Sequence, residues 1–168
     1  MKSRCQGGKL TGSRSGAVLF VLGFLLVFFP HFAFCQSEDI AVVVNTNNPT
    51  SNISLGELRK VFAGEKQSWP GGSPIKLIVR ATDCRERVAL LHLLNMSESQ
   101  YKRYWTGQVL RGEASSEPVA VFSNGFQREA IRALPGGIAL MDAQDAKLGV
   151  KVIKLDGRLP GEAGYPLH

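Results

Sequence analysis

The stretch from Ile53 to Arg80, ISLGELRKVFAGEKQSWPGGSPIKLIVR, constrains the fold more than any other part of the chain. Ser54 stands three residues before Glu57, the spacing of a capping box, in which two side chains satisfy free N–H groups at a helix start. Leu55, Leu58, Val61 and Phe62 then fall at helical spacing, so one face of a short helix is apolar and should turn toward a sheet. Gly64 is placed to take the left-handed conformation that ends such a helix. After the Trp69-Pro70-Gly71-Gly72 turn, Ile75 to Val79 reads as a strand that delivers Arg80 at its end. Upstream, Ile40 to Val44 is a continuous β-branched run suited to a strand buried on both faces, and the polar Asn45 to Asn52 is a turn region. A strand, a helix and a strand in that order predict a crossover unit with parallel strands.

The remainder continues the alternation. Thr82 or Asp83 can cap a helix running to about Leu94, and Ser97 with Gln100 is a second capping box for a helix to about Val109. Arg111 to Glu117 is polar, without period, and reads as a loop. Val119 to Phe122 is a short strand, Ser123 caps a helix that stops before Pro135, and Ile138–Met141 and Val150–Leu155 are further strands. Residues 157–168, rich in proline and glycine, read as a loose tail. With no internal repeat and no long linker, residues 36–156 form one α/β domain, a three-layer arrangement around a mainly parallel sheet.

Residues 1–35 have the layout of a secretory signal. Lys2, Arg4, Lys9 and Arg14 precede an uncharged apolar run from Ala17 to Phe29, which Pro30 breaks. Ala33 and Cys35 are the small residues before a cut at Gln36; an uncleaved anchor is the alternative. Removing the leader lowers Lys+Arg from 20 to 16 against 14 Asp+Glu, so the basic balance belongs to the targeting segment and gives no support to nucleic-acid binding. Cys5 and Cys35 leave with it. Cys84 then has no partner for an internal disulfide, and core burial must stabilise the exported chain.

The helix ending in Phe62-Ala63-Gly64, the Trp69 turn and the strand ending in Arg80 resemble the opening of the second lobe of phosphate-type periplasmic binding proteins, the substrate-binding subunits of phosphate ABC transporters. Tyr104-Trp105 and Pro135-Gly136-Gly137-Ile138 extend the resemblance to about Leu155, although the later Gly and Tyr of the family's Pro-Gly-Ala-Ile-Gly-Tyr segment are replaced here. The resemblance implies one lobe of a type 2 periplasmic-binding fold. The segment that would build the other lobe has no counterpart.

In that family the ligand loop runs from the strand-end arginine through Gly-Ser-Gly-Thr into a helix. Placed without gaps, it falls on Arg80 through Glu86, and the implied ligand residues are Arg80, Thr82, Cys84 and Arg85. Helix N-terminal N–H groups favour an anion, and an arginine can grip two of its oxygens. The loop here lacks the glycines, and Cys84 is a weak donor in place of serine. If Asp83 caps the helix, its carboxylate takes the N–H groups a phosphate needs, and structural capping is then the favoured reading over anion binding.

No nucleophile elbow, phosphate-cradling glycine loop or metal-site spacing of Cys, His and carboxylates is found, so neither catalysis, metal nor cofactor is expected. Beside Arg85, Cys84 could be a reactive thiol, but a half-buried inert one is the commoner state. His92 reads as a boundary residue, and Trp69 and Trp105 as core anchors. The resemblance implies an exported, periplasmic binding protein that holds phosphate or a similar oxyanion weakly and works with a membrane transporter. The competing reading is an interaction module that has lost its cleft and presents a surface to another periplasmic protein.

Overall fold

Ile40–Val44 forms β1, and every one of its residues is buried because helices cover both faces of the sheet to which it belongs. The computed structural model describes residues 38–147 and 149–168; the leader reading at 1–35 lies outside them. Five further strands follow: β2 (Asn52–Ile53), β3 (Lys76–Arg80), β4 (Val119–Val121), β5 (Gly137–Asp142) and β6 (Lys151–Leu155). The helices are α1 (Leu55–Phe62), α2 (Arg85–Leu94), α3 (Glu98–Leu110) and α4 (Asn124–Ala133).

The sheet order is β2-β6-β1-β5-β3-β4. Neighbours β2 and β6, β5 and β3, and β3 and β4 run parallel, whereas β1 is antiparallel to both β5 and β6. The crossover expected between β1 and β3 is therefore corrected: β5 lies between them, and β1 points the opposite way. What matters for the site is that β3, β4 and β5 all end at one edge of the sheet, where β1 begins.

Alternation along each strand sorts the core into two layers. Ile40, Val42 and Val44 of β1 pack with Leu58, Val61 and Phe62 of α1, with Leu90 and Leu93 of α2, and with Tyr101 and Trp105 of α3. Ala41 and Val43 face the other way, with Ile78, Met141 and Ile131 of α4. This is the expected three-layer domain.

Local signals act as read at most helix starts. Ser97 and Gln100 make the full reciprocal capping box, and Ser123 accepts from Phe126 N. At α1 only half of the box forms: Ser54 Oγ accepts from Glu57 N at 3.1 Å, but the Glu57 carboxylate pairs with Lys66. Gly64 adopts φ +76 and lies against the Trp105 ring, so the helix end and the core anchor fit together. Trp69 is buried and donates from Nε1 to Gly136 O at 3.0 Å.

The tail at 157–168 is not loose. Tyr165 and Leu167 are buried in the larger core layer, Ile40 N donates to Leu167 O at 3.0 Å, and the Tyr165 hydroxyl donates to Ile40 O at 2.8 Å. Burial pushes the Tyr165 phenol above its ordinary range. His168 Nδ1 lies 2.7 Å from Asp39 Oδ1. Two apolar side chains within a Pro/Gly-rich segment suffice to anchor it, because it lies along the start of β1.

Candidate functional site

The β3–α2 loop lies at the carboxyl ends of parallel β5, β3 and β4, the position where open α/β sheets characteristically bind ligands. Arg80 ends β3 with a side chain only 10% exposed. Its Nη2 donates to Cys84 Sγ at 3.4 Å, and its Nε stands 3.8 Å from Glu86 Oε2, beyond hydrogen-bond reach. Nε and Nη1 are buried without a hydrogen-bond partner. A buried guanidinium with open donors is unusual, since buried polar groups are nearly always paired.

Asp83 does not cap α2, contrary to the expectation for Thr82 or Asp83. It adopts φ +69, a left-handed conformation more natural to glycine, and stands one residue too early. The N-cap is Cys84, with φ −106 and ψ 150 and no side-chain cap hydrogen bond. The first N–H groups of α2 are thus not occupied by a carboxylate, and the competition that favoured a purely structural loop is absent. Thr82 is exposed on the same loop.

Arg85 is directed elsewhere. Its Nη1 donates to Asp142 Oδ2 at 2.8 Å, and its Nη2 donates to the Glu38 carbonyl, tying α2 to the end of β5 and the entry to β1. The structure therefore brings Arg80 and Cys84 together and leaves Thr82 open, but gives Arg85 a bracing role. Sequence reasoning missed Glu86, whose 6% exposed carboxylate offsets the Arg80 charge, and Asp142, which holds Arg85. Asp142 was recoverable in principle as the acidic residue ending an apolar strand. Glu86 carried no such signal, since acidic residues are ordinary in a first helical turn.

Beside the loop, between α3 and the β3–β4 edge, is a cavity of about 260 Å³ whose lining includes Thr82, Arg87, Tyr101, Trp105 and Pro118. Arg87 is held by both oxygens of Glu98 at 2.9 Å, and its guanidinium carbon lies 4.0 Å from the centre of the Tyr101 ring. The hydrogen bond from Arg87 holds the Glu98 carboxyl below its ordinary value, against a smaller upward effect of burial. Burial pushes the Tyr101 phenol up to about 12, with Arg87 pulling in the other direction, so the hydroxyl keeps its proton at neutral pH.

Among the described residues, no helix is long and apolar enough to cross a membrane. No family model matches the chain, and no curated protein does. Solved structures do. An ABC-type phosphate transport receptor from Vibrio cholerae aligns with TM-score 0.59 and 17% identity over 73% of this chain and 48% of its own. A Clostridium perfringens protein assigned to phosphate ABC transport, solved with bound phosphate, aligns with TM-score 0.58 and 16% identity over 73% and 46%. PstS from Borrelia burgdorferi gives TM-score 0.56 and 16% identity over 74% and 50%. The chain spans about half the length of these neighbours. It has the fold of part of a phosphate-type substrate-binding protein, and the resemblance read from the sequence holds at that level.

Proposed function

We propose that the chain is an exported, non-catalytic binding protein that takes phosphate or a similar oxyanion weakly at the β3–α2 loop, through Arg80, Thr82 and the N-terminus of α2. The observation that carries this reading is the buried Arg80 guanidinium, whose Nε and Nη1 make no hydrogen bond, beside a helix start with no side-chain cap. Two features limit affinity. Glu86 already offsets part of the Arg80 charge, and Asp83 adds a negative charge to the loop. A dissociation constant on the order of millimolar follows, equivalent to roughly −4 kcal/mol.

Calorimetric titration with phosphate and sulfate tests the reading. Asp83→Gly should tighten binding, because it removes the charge and suits the left-handed backbone. Arg80→Met combined with Glu86→Gln should abolish it while leaving no unpaired buried charge. Absence of heat with either anion, in both the native chain and Asp83→Gly, would remove the oxyanion reading. Export is checked by intact mass: cleavage near Gln36 yields a chain beginning there, whereas a full-length mass in membranes establishes an anchor.

A specific observation favours the second reading, an interaction module. β4 is an edge strand, and beside it Phe122 is 83% and Phe126 69% exposed. An extended apolar segment of a partner protein could pair with such an edge and cover both rings. Micromolar phosphate affinity in the unmodified chain would count against this alternative.

A further inference from the structure

β4 bonds to β3 on one side and leaves its other side open. Val121 O accepts from Ala81 N at 2.9 Å, so the alternation along the strand turns both the N–H and the C=O of Ala120 away from β3. An identical strand running antiparallel beside it offers the same two groups in return, and all of them are satisfied at once. The opening is short. Pro118, the preceding outward position, has no N–H, and α4 starts at Asn124. Such an edge suits one added strand of matching length and resists open-ended growth of the sheet.

The side chains around this edge are apolar. Phe122 is 83% exposed, Phe126 69% and Val119 51%. A groove of about 460 Å³ runs between β4 and α4, and its lining includes Ala120, Phe122, Phe126, Ala130 and Ala133. Phe126, Ala130 and Ala133 recur at helical spacing along α4, while Gln127 and Ile131 occupy its buried face. A two-fold axis normal to the sheet keeps both copies of α4 on one side of it, antiparallel, with these stripes facing each other. The alanines permit close approach. Glu129 brings a charge to the groove, but Arg132 already pairs with it at 3.0 Å, so no uncompensated charge enters the contact.

Area sets the strength of such a contact. At these exposures each ring presents roughly 150 Å², so four rings in a dimer bury roughly 600 Å². With Val119, the alanines and the strand backbone the total comes to about 1,000 Å², where specific interfaces begin and well below obligate ones.

We propose that the chain forms a reversible two-fold dimer by antiparallel pairing of β4 with β4 of a second copy, sealed by α4 against α4, which joins two six-stranded sheets into one. This goes beyond both functional readings: the Arg80 loop plays no part in it, and the edge that the second reading opens to another protein is assigned to a second copy.

Sedimentation velocity on the full chain, over roughly 1 μM to 1 mM, should show a monomer passing into a dimer with a dissociation constant on the order of tens of micromolar. Phe126→Lys, at an exposed position, and Ala120→Pro, which removes the outward N–H but no bond to β3, should each weaken the dimer by about tenfold or more. At the dilute end the melting temperature of Phe126→Lys should match that of the native chain. Hydrogen exchange on the native chain supplies a readout that needs no variant: the Ala120 amide should be protected at the concentrated end and exchange freely at the dilute end. A monomer throughout the range overturns the inference and leaves the edge open to a different protein. A dimer that survives both substitutions, or an Ala120 amide that exchanges equally at both ends of the range, overturns it too, because the copies then meet elsewhere.

Discussion

Replacing Arg80 tests whether this buried guanidinium is a structural partner of Glu86, a ligand donor, or both. The two side chains are 10% and 6% exposed and stand 3.8 Å apart. At an effective dielectric constant of about 20, charges at that separation attract by roughly 4 kcal/mol, part of which offsets the cost of removing them from water. Arg80→Met alone leaves the Glu86 carboxylate buried and uncompensated, at an expected cost of about 3–5 kcal/mol. In a domain of this size that corresponds to a fall in melting temperature of roughly 10–20 °C. Adding Glu86→Gln should recover most of the loss, since neutral groups of similar volume often replace a buried pair without penalty. Thermal and urea unfolding of the native chain, both single variants and the double variant give the coupling directly. We expect about 2–3 kcal/mol, and additivity within about 0.5 kcal/mol would refute the argument. Glu86→Gln alone carries the functional half of the prediction: with its competitor gone, Arg80 should bind phosphate more tightly than in the native chain.

Four further perturbations probe other features of the fold and the loop. Gly136→Ala would place a Cβ 1.9 Å from Pro74 O and disturb the carbonyl that accepts from both Trp69 and Lys76; a loss of about 2–4 kcal/mol is expected by chemical denaturation. Gly56→Ala in α1, with open space around it, should instead stabilise by about 0.5–1 kcal/mol. Cys84→Ser supplies a better N-cap where the thiol makes no cap hydrogen bond, and calorimetric melting should show a gain of up to about 1 kcal/mol; a clear loss would mean the Arg80 contact to sulfur is structurally important. The Arg87 hydrogen bond holds the folded Glu98 carboxyl below its ordinary value, so this pairing stabilises fully above the unfolded pKa and is lost as pH falls through the folded one. Glu98→Gln should therefore flatten the acid limb of a stability-against-pH profile, and an unchanged limb would contradict the assignment.

The elements were largely legible because their causes are local. β1, α1, the capping box at Ser97 and the cap at Ser123 each depend on residues within one turn or one strand, and they appear where the pattern places them. The candidate loop was legible as a place, through the strand-end Arg80 and the helix after it. Its chemistry was not. Whether Asp83 or Cys84 caps α2 turns on a single left-handed residue, and the spacing of cap-forming side chains does not specify that dihedral angle.

By itself, then, the sequence determined five of the six described strands, the four helices, the sheet-facing side of α1 and the arginine at the end of β3, all through short-range periodicity and capping, whereas the two-residue β2 falls where a turn was read. Tertiary structure alone decided that β1 runs antiparallel between β5 and β6, that Tyr165 and Leu167 anchor the final segment, and that Glu86 meets Arg80 while Asp142 removes Arg85 from the loop. The physical reason is the range of the interactions. A cap or an amphipathic stripe lowers free energy with neighbours a few residues away. Strand order, by contrast, is chosen by which whole faces bury together, and the partner of a buried charge by which side chains that packing brings within a few ångströms.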